Sequence, residues 1–446
     1  MDMFATSQGE PLLRKNTSAA IIENDNIRAN AIQIERYEQM QLKRKCRTKA
    51  LLIILVCLCV TGFLTWLYID HTVPEFNQYR LVKSFEETPL NYGNNNSGSD
   101  NDQPRIILLW NSFFGDERWS LPDDLIDPAY FHKELQCPVS NCVLTNRRDL
   151  FPQIQMYDAI LFHTAQPFPV INSVPSQRSG RQLYVFALME PPGETKHILS
   201  DERDFYNLTM TYRTDSDIIC AYNWFVDKQT GMRILPTEYP KWRPVPNIYN
   251  DTAIWRLWPN KTKTAAWFVS HCETLSRREQ LTAELQKYID VDVYGKCGPM
   301  SCPNGSPECD RLLDEKYQFY FSFENSLCID YITEKLYKIM KRNIIPVVYG
   351  GANYKQFLPP HSYINVEDYS TPEELANYLK FVAENPIEYM RYFWWREHYE
   401  LRFFSPFCEL CQRLHQSQYY LKTQSYSDIE RWWLQGSCRF KSRIKF

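Results

Sequence analysis

Residues 50 to 69, ALLIILVCLCVTGFLTWLYI, are twenty residues without a charge. A helix of that length spans a bilayer, and lipid leaves a lone segment's backbone no other way to satisfy its polar groups. Everything else is therefore predicted to fold on one side of a membrane or the other. The stretch KRKCRTK (43 to 49) before the run is dense in positive charge and DHTVPEF after it is not, which keeps the N-terminus cytoplasmic and sends residues 70 to 446 to the lumenal side. A cleaved signal peptide fits less well, because 49 residues precede the run and no small-x-small site follows it.

Two features agree with a lumenal location. Asn95, Asn207, Asn250, Asn260 and Asn304 each head an N-x-S/T sequon after the span, with Pro307 close behind the last. Eleven cysteines also follow it, and an oxidising compartment makes disulfides of such residues. The candidates are Cys137 and Cys142 in CPVSNC, Cys408 and Cys411 in CELC, and the cluster Cys297, Cys302, Cys309 and Cys328. An odd number leaves at least one unpaired in a monomer. Zinc is disfavoured, since the clusters lack paired CxxC and histidine spacing and the eight histidines are scattered. A net charge of -3 and the lack of a basic, aromatic-rich patch argue against nucleic acid.

The expected organisation is a cytoplasmic tail (1–49), a signal anchor (50–69), a flexible stem (70–103) ending in NYGNNNSGSDNDQP, and two α/β domains. At 44% hydrophobic and 15% aromatic, the chain has the apolar content for two cores. RIILLW (105–110), YDAILFH (157–163) and RQLYVFALME (181–190) read as strands of an N-terminal domain, 104–255. KTAAWFVSHC (263–272), the helical SRREQLTAELQKYI, VDVYG (291–295), YQFYFSF (317–323), YITEKLYKIMKR and NIIPVVYG (343–350) alternate strand and helix in a C-terminal domain, 256–400. A Pro-, Asn- and Trp-rich connection (239–261) joins them, and 401–446 is a C-terminal extension carrying CELC. No internal repeat is visible.

In open α/β sheets ligands bind beyond the carboxyl ends of the strands, near helix N-termini. The loop ENSLCID (324–330) leaves one buried strand and enters a helix, so its polar groups lie where a phosphate-bearing ligand binds. With Asp330 as cap, Tyr331, Glu334 and Lys335 share one face of the first turn. Lys335 then suits a diphosphate and Glu334 ribose hydroxyls, although judged by spacing alone a solvated helix face is the commoner outcome.

FSFENSLCIDYITEKLYKIMKRNIIPVVYG resembles the signature of the α1,3-fucosyltransferase family, glycosyltransferase family 10. YNLTMTYRTDSDI (206–218) and LMEPP (188–192) resemble two further family blocks, so the likeness runs over about 104–446. It implies a GT-B fold, two Rossmann-like domains facing a cleft, in a Golgi type II membrane enzyme held by one span. It also implies inverting transfer of L-fucose from GDP-fucose to the 3-hydroxyl of GlcNAc. Glu190 then matches the catalytic base, and Arg278, Asn325, Tyr331, Glu334 and Lys335 match the donor-binding set, with Arg277 adjacent. His271 stands where many relatives have Asn. The cysteine pattern resembles the plant and invertebrate branch, which favours the innermost GlcNAc of an N-glycan as acceptor. Terminal N-acetyllactosamine-type glycans, or glycan binding without catalysis, are the alternatives. No cofactor or catalytic metal is expected, DSD (215–217) and DVD (290–292) being weak motifs, and homodimerisation through the stem stays open.

Overall fold

The computed structural model describes residues 103–165, 174–195, 202–236, 240–303, 305–416 and 425–446. The predicted tail and span, the stem up to residue 102, and the sequons at Asn95 and Asn304 lie outside the described residues.

Two parallel sheets organise these residues. The first contains β1 (Arg105–Leu109), β2 (Leu125–Ile126), β3 (Cys142–Thr145), β4 (Ala159–His163), β5 (Leu183–Leu188), β6 (Leu208–Thr211) and β7 (Ile218–Ile219), in the order β2-β3-β1-β4-β5-β6-β7. All pairs are parallel except β2 with β3. β4 and β5 are buried along their whole length, as expected of strands covered on both faces. A short strand, β8 (Trp224–Asp227), follows.

The second sheet contains β9 (Lys263–Phe268), β10 (Val291–Tyr294), β11 (Tyr317–Phe323), β13 (Ile345–Tyr349) and β14 (Ile364–Asn365), in the order β10-β9-β11-β13-β14 and parallel throughout. Between β11 and β13 lie the two-residue strand β12 (Leu327–Cys328) and the helix Glu334–Met340. Two small ribbons complete the set, β8 with β15 (Tyr399–Arg402) and β12 with β16 (Cys438–Arg439), both antiparallel.

The C-terminal stretch returns over both sheets. The helix Pro406–Leu414 buries Phe407, Leu410, Cys411 and Leu414 against the first sheet, and Ile429 and Trp433 of the helix Ile429–Leu434 join Phe162, Phe186 and Tyr206 on its other face. Ile444 ends in the core of the second sheet. Disulfides hold the crossings: Cys137–Cys408, Cys142–Cys411 and Cys328–Cys438, with Cys272–Cys297 and Cys302–Cys309 inside the second sheet's region. All eight predicted candidates are bonded, yet CPVSNC pairs with CELC rather than within itself, and Cys220 is the unpaired thiol among the described residues.

Candidate active site

The carboxyl ends of β5 and β11 carry the predicted groups. Glu190 follows β5 by two residues, just before the turn Pro192–Glu194. Gly193 in that turn approaches the second sheet's loops so closely that a Cβ there would lie 2.8 Å from Leu275 and 3.3 Å from the Ser326 hydroxyl. A side chain there would have to displace the end of Leu275 and crowd Ser326.

After β11 the chain passes Glu324, Asn325 and Ser326, each buried. The Glu324 carboxylate, 1% exposed, accepts from the Thr333 amide at 2.8 Å and from the Thr333 hydroxyl at 3.0 Å, and sits 3.2 Å from the Lys335 ammonium. Lys335 also donates to the Thr333 hydroxyl at 2.9 Å and lies 3.5 Å from Glu334. Burial alone would lower the Lys335 pKa, but Glu324 and Glu334 outweigh it and hold it above the usual lysine value. Burial raises the Glu190 carboxyl, Lys335 pulls it back, and Glu194, Glu334 and Glu324 push it further up. Glu190 and Lys335 thus act on each other across the two loops.

Thr333, not Asp330, caps the helix, because its hydroxyl accepts from the Lys335 amide. The helix begins at Glu334, so Tyr331 lies outside it and shares no helical face with Glu334 and Lys335. Asp330 is left-handed (φ 59) and turns its carboxylate to the loop after β6, accepting from the Thr214 amide at 3.0 Å and hydroxyl at 2.6 Å. Tyr331 follows it inward, 2% exposed, with its ring 4.9 Å from that of Tyr212 and 5.9 Å from the Lys335 ammonium.

Arg277 and Arg278 have different surroundings. Arg278 opens the helix Arg278–Leu285, is 4% exposed, and donates to the carbonyls of Phe323 at 2.6 Å and His271 at 3.2 Å. Arg277, left-handed at φ 57 and exposed, lines an open groove with His271, Thr274, Leu275, Gly193 and Glu194. Ser276 braces the same loop, its hydroxyl donating to the Glu324 carbonyl at 2.7 Å and its amide to that of Asn325 at 3.0 Å. Arg278 Nε, Asn325 Oδ1 and Ser326 Oγ are buried without a hydrogen-bond partner in the described structure. Buried polar groups are ordinarily paired, so three such atoms around one loop make it the candidate place for a polar ligand or bound water.

The alternative motifs are structural. Asp215 takes two bonds from Arg213, and Asp217 accepts from Thr209 and Tyr426. Asp292 accepts from Lys263 and Tyr317. Cys142, Cys411 and His415 converge like metal ligands, but the two sulfurs are joined to each other. Asn250 and Asn260 are exposed, whereas Asn207 is half-buried and its amide oxygen accepts from the Tyr184 amide at 2.8 Å and from Arg178. Sequence reasoning passed over Glu324 and Thr333, which orient Lys335. The signal available was a glutamate directly after a buried strand.

Residues 102–223 match the family model "Fucosyltransferase, N-terminal", and residues 258–432 match "Glycosyltransferase family 10 (fucosyltransferase) C-term". Alpha-(1,3)-fucosyltransferase C of Drosophila melanogaster is 53% identical over 341 residues, covering 76% of this chain and 80% of that protein. Glycoprotein 3-alpha-L-fucosyltransferase A of the same organism is 34% identical over 322 residues, 70% of this chain and 58% of its own. A crystal structure of an alpha1,3-fucosyltransferase with GDP-fucose overlaps distantly, with a TM-score of 0.43 and 14% identity over 75% of this chain and 95% of that one. With both halves matched in order and a relative 53% identical across most of its length, this chain belongs to glycosyltransferase family 10, the fucosyltransferases.

Proposed function

We propose that this protein is an inverting glycosyltransferase that moves L-fucose from GDP-fucose to the 3-hydroxyl of a GlcNAc residue in a glycoprotein glycan. The observation that carries it is the meeting of the loops after β5 and β11 at Gly193 and Ser326, which brings the buried carboxylate Glu190 and the cation Lys335, fixed by Glu324 and Thr333, within reach of each other's charge. In this reading the two sheets are the halves of a GT-B architecture. A single displacement at the anomeric carbon needs a base to take the acceptor's proton while charge on the departing GDP is neutralised. Glu190 takes the proton. Lys335 meets the diphosphate as a point charge, and Arg277, facing the open groove, adds a planar fork suited to phosphate oxygens. Glu334, half-exposed beside Lys335, accepts ribose hydroxyls. Arg278, which holds the Phe323 and His271 carbonyls, and Asn325 complete the donor set from beneath, while Tyr331 packs under Lys335. No metal enters this scheme.

The acceptor we favour is the innermost GlcNAc of an N-glycan, on the cysteine architecture. Terminal N-acetyllactosamine-type glycans are the second reading, because the relative whose name specifies glycoprotein transfer shares only 34% identity. We also propose a Golgi location, with residues 50–69 as a type II anchor and the sheets in the lumen. Protease protection of intact vesicles tests that topology. Turnover is tested with the full chain in detergent, GDP-fucose, an N-glycan core glycopeptide and a Galβ1,4GlcNAc oligosaccharide, beside Glu190→Gln. Transfer to the core GlcNAc, abolished in the variant, is expected. Transfer to the oligosaccharide alone moves the enzyme to the second reading, and donor binding without transfer to either overturns catalysis.

A further inference from the structure

We propose that the segment Ser437–Arg439 is a clamp that sets the position of the donor loop, with Cys438 and Arg439 as positioning residues for nucleotide-sugar binding. The inference rests on reading residues 324–335 as the donor site. The match to the family's C-terminal model ends at residue 432, so the clamp is built from residues beyond it.

The loop grips the segment along one side. Leu327 and Cys328 pair antiparallel with Arg439 and Cys438, the Cys328–Cys438 disulfide crosses the pair, and the Ile329 amide donates to the Ser437 carbonyl at 2.8 Å. β16 is the sheet partner of β12 in a two-stranded ribbon, so the ladder of the donor loop is made with the tail. Arg439 holds the other side. Its guanidinium meets both oxygens of Glu367, at 2.7 and 2.6 Å, and donates to the Gly350 carbonyl at 3.1 Å. Gly350 in turn lies against Glu324, since a Cβ there would come within 3.4 Å of the Glu324 Cγ.

A third attachment ties the clamp to the first sheet. Arg213 donates to the Ser437 hydroxyl at 2.9 Å and to the Trp432 carbonyl at 2.7 Å, while its neighbour Thr214 holds Asp330. Asp330 is left-handed, and a non-glycine residue keeps that conformation when its surroundings impose it. Clamp, Glu367, Gly350 and Arg213 together fix the backbone that aims Glu324, and through Glu324 the Lys335 ammonium. Small misplacements of such groups lower activity steeply.

The test is steady-state kinetics of the full chain in detergent with GDP-fucose and a GlcNAc-bearing glycan. Cys328→Ser/Cys438→Ser opens the bridge, and Arg439→Ala releases Glu367 and Gly350 with every disulfide intact, so it carries the test if the first variant does not fold. Cys302→Ser/Cys309→Ser is the control, removing a bridge that follows the edge strand β10. Both clamp variants are expected to raise the KM for GDP-fucose about tenfold with the acceptor KM unchanged, and the control to keep both values. A lowered unfolding temperature with the donor KM unmoved, or an equal rise in both constants, overturns the clamp while leaving the donor site in place. A wild-type chain that binds no GDP-fucose by calorimetry overturns the donor-site reading, and the clamp falls with it.

Discussion

At the scale of single residues the site turns on one carboxyl and one ammonium. Burial is the largest influence on Glu190 and lifts its pKa above the ordinary glutamate value, with Lys335 opposing. A general base works only when ionised, so turnover falls as pH drops through that raised pKa, and the acid limb of the kcat profile lies above the range of an ordinary glutamate. Glu190→Gln is expected to lower kcat by about 10²- to 10⁴-fold, with GDP-fucose binding by calorimetry retained. Lys335→Met has two effects that separate experimentally. It weakens GDP-fucose binding, and because Lys335 pulls the Glu190 pKa down, its loss moves the acid limb to higher pH at saturating donor. A limb that stays in place removes Glu190 from the role of base.

At the scale of elements, the loop between β11 and the helix Glu334–Met340 is a closed unit joined by Glu324 to Thr333. Thr333→Ala removes a helix cap and two hydroxyl bonds to a buried carboxylate, and is expected to lower stability by about 1–2 kcal/mol in denaturant unfolding. Gly351→Ala acts from behind. Its Cβ would come within 2.3 Å of the Leu327 carbonyl carbon and 2.4 Å of the Cys328 amide nitrogen, so the loop itself must move. The expected result is a raised KM for GDP-fucose together with about 1–3 kcal/mol of lost stability. Much of this unit was legible from local pattern. The aromatic run 317–323 is β11 to the residue, and 345–349 and 263–268 lie within their predicted strands. The cap was misplaced because Asp330 and Thr333 are both good capping residues, and what separates them is a partner 116 residues away, Thr214, which local spacing does not contain. Tyr331 likewise owes its burial to the distant Tyr212 ring, a contact that local spacing does not contain. Short strands such as β7, β12 and β16 exist through their pairing and leave little periodicity in sequence.

At the scale of the whole molecule, the return of residues 401–446 joins the beginning of the fold to its end. The Cys137–Cys408 and Cys142–Cys411 bridges, with sequence separations of 271 and 269, both start from within the helix Pro406–Leu414 and fasten it to the first sheet. Cysteine spacing announced disulfides without announcing this pairing, because partners about 270 residues apart leave no local pattern. Loop closure makes the two bridges interdependent. The first to form constrains a loop of nearly the whole folded region, an effect of about 5 kcal/mol on the unfolded chain. With either in place, the second closes only the few residues between neighbouring cysteines and adds about 2–3 kcal/mol. Cys137→Ser/Cys408→Ser and Cys142→Ser/Cys411→Ser should therefore each have a modest effect on denaturant unfolding, while the quadruple variant loses clearly more than their sum. Additive losses would mean that packing of the helix Pro406–Leu414, rather than the covalent closure of chain beginning to chain end, holds the C-terminal return in place.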